Sequence, residues 1–309
     1  MHLITRRTVL KYGSLAAASA VLSSALPRPV MARSLAQHPG LQLYTVGKEL
    51  MADMPGTLAK VAAIGYRSVE SAGMGGKSPT EFRRALDAAG LKCPSSHLFL
   101  MPGQSATQYL EGIRTLGSEY VVSSLLLDPS APVKSVEDYI KYAAALTQDD
   151  FRKMAAGLNR LAGQARGLGL KFAYHNHNLE FRQWADGSTA YDTLMSETDP
   201  ALVRIELDCG WAELGGRSPL DIFKRYQGRI RMLHIKDFVP VARPIVAMNE
   251  NSSVEWTELG KGHMDYRTIL AQAPQAGVER IFVEQEPPYV KYTALEAARV
   301  DFEYLRSIG

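Results

Sequence analysis

Cysteine is scarce in this chain: it has two, Cys93 and Cys209, each inside an apolar strand-like run. A disulfide-stapled scaffold is excluded, buried free thiols are the expectation, and one bridge in an oxidising compartment is the alternative. A surplus of one charge is also missing, since 35 Lys and Arg face 32 Asp and Glu for a formal net charge of +3. No basic stripe interleaved with aromatics occurs, which argues against a nucleic-acid partner. Long apolar runs are absent as well. The uncharged stretch from Tyr12 to Pro27 covers only about 15 residues, short of the roughly 20 that cross a bilayer, so no stable membrane insertion is expected. Neither a Pro, Gly and Ser linker nor a repeat of about 20 to 50 residues divides the chain, which favours one domain.

What is present begins with Thr5-Arg6-Arg7, then the uncharged run, then Val30-Met31-Ala32. This is the pattern of a twin-arginine export signal with a small-residue cleavage site. Residues 1–32 read as that signal and residues 33–309 as the mature domain, placed in the periplasm. Losing Arg6, Arg7, Lys11 and Arg28 and no acid takes the charge from +3 to −1. Export in the folded state would let a metal be loaded beforehand.

With 309 residues and 46% hydrophobic content, the chain can bury a large core. Strand-like runs at Leu41–Tyr44, Ser68–Glu70, Cys93–Leu98, Tyr120–Leu126, Lys171–His175, Val203–Asp208, Ile230–Lys236 and Arg280–Glu284 alternate with amphipathic segments. Those segments are Thr57–Ile64, Pro79–Ala89, Ala106–Leu116, Asp149–Gly167, Ala190–Glu197, Pro219–Tyr226, Tyr266–Ala276 and Tyr292–Leu305. The count is that of a single α/β (β/α)8 TIM barrel. The irregular stretch from Val239 to Gly262 follows the seventh strand and suits either a lid over the active-site face or a plain surface loop.

Reactive groups of such barrels gather at the C-terminal ends of strands. Three runs end there in Asp208, His234 and Glu284. Alternation turns these three inward while Leu207, Leu233 and Val283 face outward, and an aspartate, a histidine and a glutamate converging make a divalent-metal site. Glu206 shares the inward parity one layer deeper and reads as a paired interior carboxylate, with Lys236 as its partner. On the fifth strand Phe172 and Tyr174 should face outward, turning His175 and His177 inward as ligands or as hydrogen-bonded neighbours of ligands. Glu180, in the loop beyond, is a candidate fourth ligand or acid/base group.

Tyr174-His-Asn-His177, Leu207-Asp-Cys-Gly-Trp211, Leu233-His-Ile-Lys-Asp237, Gly260-Lys-Gly-His-Met-Asp265 and Val283-Glu-Gln-Glu286 together resemble the sugar phosphate isomerase/epimerase superfamily, the xylose isomerase-like TIM barrels. The resemblance covers roughly residues 38–309. It implies a cofactor of Mn, Co, Zn or Mg held by a Glu, an Asp, a His and a second Glu from strands five to eight, and a small-molecule sugar as partner. Asp208, His234 and Glu284 match. The first Glu is replaced by His175, with Glu180 the nearest carboxylate, and Trp211 stands where several relatives have histidine. The His-rich fifth strand is similar to that of inosose dehydratase relatives.

The resemblance implies an isomerase or epimerase working through an enediolate on a keto-sugar or sugar derivative. Glu284 is then the base, His175 or Glu180 the partner acid, and Glu180 the preferred fourth ligand. Glu70, His97, His177 and Lys236 would bind hydroxyls or the oxyanion. Lyase or hydratase action on a 3-keto sugar or glycoside is the alternative, and a non-catalytic periplasmic sugar-binding barrel the rival. Oligomeric state, a homo-oligomer included, is left open.

Overall fold

The computed structural model describes residues 28–100, 104–124, 131 and 133–309. The export motif at residues 5–7 lies outside them, and the expected cleavage after Ala32 falls inside the helix Arg28–Gln37, which packs on the barrel through buried Leu35 and Ala36.

Strands β1 (Gly40–Gln42), β2 (Ser68–Ala72), β3 (Lys92–His97), β4 (Tyr120–Ser123), β5 (Lys171–His175), β6 (Val203–Asp208) and β7 (Ile230–Ile235) lie side by side in chain order. The short strands β8 (Asp237–Phe238) and β9 (Trp256–Thr257) pair antiparallel, and β10 (Arg280–Val283) closes the barrel between β7 and β1. Every barrel pairing is parallel. Such a sheet needs helices on its outer face and side chains filling its lumen. Leu207, Leu233 and Val283 are fully buried in the outer core, whereas Tyr120, Val122, Ala173, Met232 and Phe282 form a separate apolar plug inside the barrel.

Local chemistry sets the element ends. The helix Pro79–Ala89 opens with Ser78 and Glu81 in a reciprocal capping box and stops at Gly90 in left-handed backbone, the arrangement that satisfies otherwise orphaned amides and carbonyls. Its Phe82 and Leu86, one turn apart, are buried, each worth roughly 1.5–3 kcal/mol. The expected start at Asp149 moves to Gln148 because Thr147 caps that helix with Asp150. The first strand is shorter than expected. The Gln42 side chain accepts the Tyr44 amide at 3.1 Å and turns the chain into a 3-10 helix at Leu43–Val46, leaving Tyr44 exposed. The fourth run keeps its strand to Ser123, its end at Leu125 and Leu126 lying outside the described residues. The 239–262 stretch is partly ordered structure, with β9 paired to β8 and a 3-10 helix at Met248–Ser253. Cys93 and Cys209 are buried free thiols.

Register then places the reactive residues. Asp208 on β6 sits beside His234 on β7, and His175 on β5 beside Glu206 on β6. The Glu284 amide continues the ladder to the Ile235 carbonyl at 3.0 Å, so its side chain enters at the same level.

Candidate metal centre

Two layers of polar side chains lie above the apolar plug. In the upper layer His175, Asp208, His234 and Glu284 each offer one donor atom, all within 4.8 Å of one another, and all four residues are buried. Asn176 holds β5 to β6 here, its Oδ1 accepting the Asp208 amide at 3.1 Å and its Nδ2 donating to the Asp208 carbonyl at 3.2 Å. Asp208 also caps the helix Cys209–Leu214, with Oδ1 accepting the Trp211 amide at 2.7 Å. Its Oδ2 is buried and takes no hydrogen bond, with the Lys236 ammonium in ion-pair contact at 3.1 Å. Two carboxylates and two imidazoles whose donor atoms converge this closely in a buried site fit a hard-to-borderline divalent cation.

Lys236 stands against the same carboxylates. Its Nζ is 2.6 Å from Glu284 Oε2, 2.9 Å from Glu286 Oε1 and 3.1 Å from Asp208 Oδ2. The indoles of Trp211 and Trp256 lie 4.9 Å and 5.5 Å from the ammonium, within cation–π range. Gly210 is required beside it: a Cβ there would sit 3.0 Å from the Lys236 carbonyl oxygen and clash with the lysine stem. Glu206, expected to pair with Lys236, instead meets imidazoles, with Oε2 3.1 Å from His175 Nδ1 and 3.2 Å from His97 Nε2. Glu70 and His97, expected to reach substrate, are in this lower layer. Glu70 Oε1 contacts His234 Nε2 at 2.6 Å and His97 Nε2 at 3.0 Å, and accepts from Gln42 Nε2 at 2.7 Å. His177 is half-buried at the mouth with Nδ1 unpartnered, 5.8 Å from the Trp211 ring.

Charges follow from this packing. Burial pushes the Glu284 carboxyl up, but Lys236 and His234 outweigh it and the net direction is down. Burial would neutralise Lys236, yet Asp208, Glu284 and Glu286 raise it well above its ordinary value and keep it an ammonium. For His234 burial is overcome by Glu206, Glu284 and Glu70, and the ring is pushed up. His175 and His177 go down, by burial first, His177 to about 3 under the further influence of Lys236.

Glu180 does not join this group, which corrects the expectation that it is a ligand or proton carrier. Oε1 accepts the Tyr174 hydroxyl at 2.7 Å and Oε2 the His177 amide at 3.0 Å. Tyr174 belongs to the outer core, so the carboxylate lies behind the barrel wall. Burial raises it to about 7. A carboxyl raised on folding destabilises the ionised native state, so stability should fall as pH rises from about 4.5 to about 7 and stay level above. Glu180→Gln, which mimics the neutral acid, should remove that slope in melting curves taken from pH 5 to 8 while metal content stays at the wild-type level. A variant with the wild-type slope, or depleted of metal, would contradict this placement.

Gln42 and Glu286 were missed by sequence reading. Glu286 carried a usable signal, two residues beyond Glu284 on the same parity. Gln42 ends a strand too short to show alternation.

Residues 58–308 match the profile of the family described as the xylose isomerase-like TIM barrel. The chain belongs to that family. Within it, this barrel is 27% identical over 286 residues to an inosose dehydratase of Lacticaseibacillus casei, covering 84% of this chain and 90% of the relative. Its backbone is similar to a sugar phosphate isomerase/epimerase from Parabacteroides distasonis, with a TM-score of 0.70, 23% identity and coverage of 94% and 98%. A xylose isomerase-like TIM barrel protein from Mycobacterium smegmatis in complex with magnesium gives a TM-score of 0.59 at 15% identity, over 84% of this barrel and 88% of that one.

Proposed function

We propose that this barrel is a divalent-metal-dependent enzyme that removes the proton alpha to a ketone in a keto-sugar or sugar derivative and resolves the enediolate by elimination. One observation carries the choice of outcome: strand five faces Glu284 with an imidazole, His175, while the nearest strand-five carboxylate, Glu180, is tied to Tyr174 and the His177 amide. Epimerisation between two opposed carboxylates needs one on each side of the sugar carbon. Here proton handling is asymmetric, and the inosose dehydratase relative supports the same reading.

His175, Asp208, His234 and Glu284 would hold the cation, with Mn, Co, Zn or Mg all compatible with two imidazoles and two carboxylates. When bound, it supplies Lewis-acid polarisation of the substrate carbonyl, worth several kcal/mol in the barrier. Glu284 accepts the alpha proton, kept ionised beforehand by Lys236 and His234. The C–H and the beta C–O bonds break and a C=C bond forms; the proton taken by Glu284 returns to the departing oxygen, which leaves as water. His177, neutral with a free ring nitrogen, is placed at the mouth to hydrogen-bond that oxygen. Lys236 remains an ammonium throughout and neutralises Glu286 and Asp208.

Product analysis by NMR in deuterated water, against free and 3-keto sugars with metal restored, tests this. The expected result is a dehydrated product and released water. A sugar that has lost no water and carries deuterium at one inverted carbon would replace elimination by epimerisation, and binding with no exchange at carbon would remove the enzymatic reading.

A further inference from the structure

The lower layer is costly to build. Glu70 and Glu206 are fully buried, and each keeps one carboxylate oxygen, Glu70 Oε2 and Glu206 Oε1, without a hydrogen-bond partner. Immediately beneath, the same lumen is filled by Met232, Phe282 and their apolar neighbours, so the barrel has an inexpensive way to pack its interior. The two glutamates need another reason to be there.

That reason is in the rings they touch. A carboxylate only accepts hydrogen bonds, whereas a neutral imidazole has one donor nitrogen and one lone-pair nitrogen. The ring nitrogen facing the carboxylate therefore carries the proton, and the opposite one presents its lone pair. On His234 both nitrogens face carboxylates, Nε2 facing Glu70 Oε1 at 2.6 Å and Glu206 Oε2 at 3.4 Å, and Nδ1 facing Glu284 Oε2 at 3.0 Å and Asp208 Oδ2 at 3.8 Å. A cation held by Glu284 and Asp208 would displace the Nδ1 proton and leave the one on Nε2. On His175, Nδ1 faces Glu206 Oε2 at 3.1 Å, which leaves Nε2 with the lone pair. Gln42 Nε2 and His97 Nε2 also converge on the two glutamates and hold the carboxylates in place.

We propose that Glu206, assisted by Glu70, is a positioning residue that fixes the tautomers of His175 and His234 and thereby decides which ring nitrogens bind the divalent cation. Outer partners of this kind orient a ligating histidine and typically change metal affinity 10- to 100-fold. The inference rests on the metal-centre reading above and adds how a barrel with an imidazole in place of the strand-five carboxylate prepares it for a metal. Glu206 Oε2 accepts from His175 Nδ1 and Glu70 Oε1 from His234 Nε2, and Glu206 Oε2 also lies 3.4 Å from His234 Nε2, so the two orientations are set together.

The test uses the full chain loaded with Zn2+, a diamagnetic cation. Two-bond ¹H–¹⁵N correlation spectra should show the proton on Nδ1 of His175 and on Nε2 of His234. Calorimetric titration of the metal-free chain with Zn2+ should show Glu206→Gln weakened about 10- to 100-fold and Asp208→Asn weakened further. Opposite tautomers in the wild type overturn the proposal whether or not the variants fold. Wild-type affinity in Glu206→Gln, together with a defect in Asp208→Asn, overturns it while leaving the metal centre standing. Undiminished Zn2+ binding by Asp208→Asn would remove the metal centre and this role for Glu206 with it.

Discussion

Asp208→Asn and Glu284→Gln should each leave the purified protein depleted of divalent metal and reduce turnover by roughly 10³-fold or more, the equivalent of about 4 kcal/mol of lost transition-state stabilisation. The amides separate charge from shape. In Asp208→Asn the side-chain carbonyl oxygen can still accept the Trp211 amide that Oδ1 now takes at 2.7 Å, so the cap on the helix Cys209–Leu214 survives and the fold should persist. What disappears is the anionic Oδ2, the oxygen turned toward His234 and the Lys236 ammonium. Elemental analysis beside a melting curve reads both consequences. A stoichiometric metal content in both variants, with unchanged melting, would dismiss the site.

Lys236→Met should have the largest effect on stability. Its ammonium lies within 3.1 Å of oxygens from Asp208, Glu284 and Glu286 and is only 1% exposed. Removing one partner of a buried ionic group strands the others, at a cost of roughly 3–5 kcal/mol. In a domain of this size that lowers the melting temperature by roughly 6–20 °C. The sign with pH is fixed by the direction of the shift. The lysine is raised on folding, so its contribution is fully present at neutral pH and is lost only as pH climbs above the unfolded value of about 10.4. Added divalent metal should recover part of the loss in Lys236→Met, because a cation at Asp208 and Glu284 neutralises two of the same three carboxylates. A melting temperature within a degree of wild type would show that the carboxylates have other compensation.

Much of this arrangement was readable beforehand where chemistry is local. Alternation along Val203–Asp208 and Ile230–Lys236 assigned inward and outward faces correctly, because a strand admits only two faces and the helix-covered one must be apolar. Caps such as Ser78 with Glu81 and the left-handed Gly90 mark helix ends for the same reason. Failures came where the partner is distant in sequence. Glu206 and Lys236 looked complementary on neighbouring strands, but Lys236 extends past the end of β7 and reaches Glu286, 50 residues on. Glu180 looked like a displaced ligand because it follows the histidines closely, yet the 3-10 turn at Leu179–Phe181 carries its carboxylate back toward Tyr174.

The sequence by itself determined the alternating strands and helices, the inward parity of Asp208, His234 and Glu284, and the family. These depend on periodicity and on short motifs that any segment carries with it. Only the tertiary structure decided which nitrogen of His234 faces which carboxylate, that Glu206 serves the histidines rather than Lys236, and that His175 stands with the other donors while Glu180 does not. Closing the barrel sets β5, β6, β7 and β10 at one register, and side-chain contacts between strands depend on that register and on the turns beyond it, to which a single strand's pattern is blind.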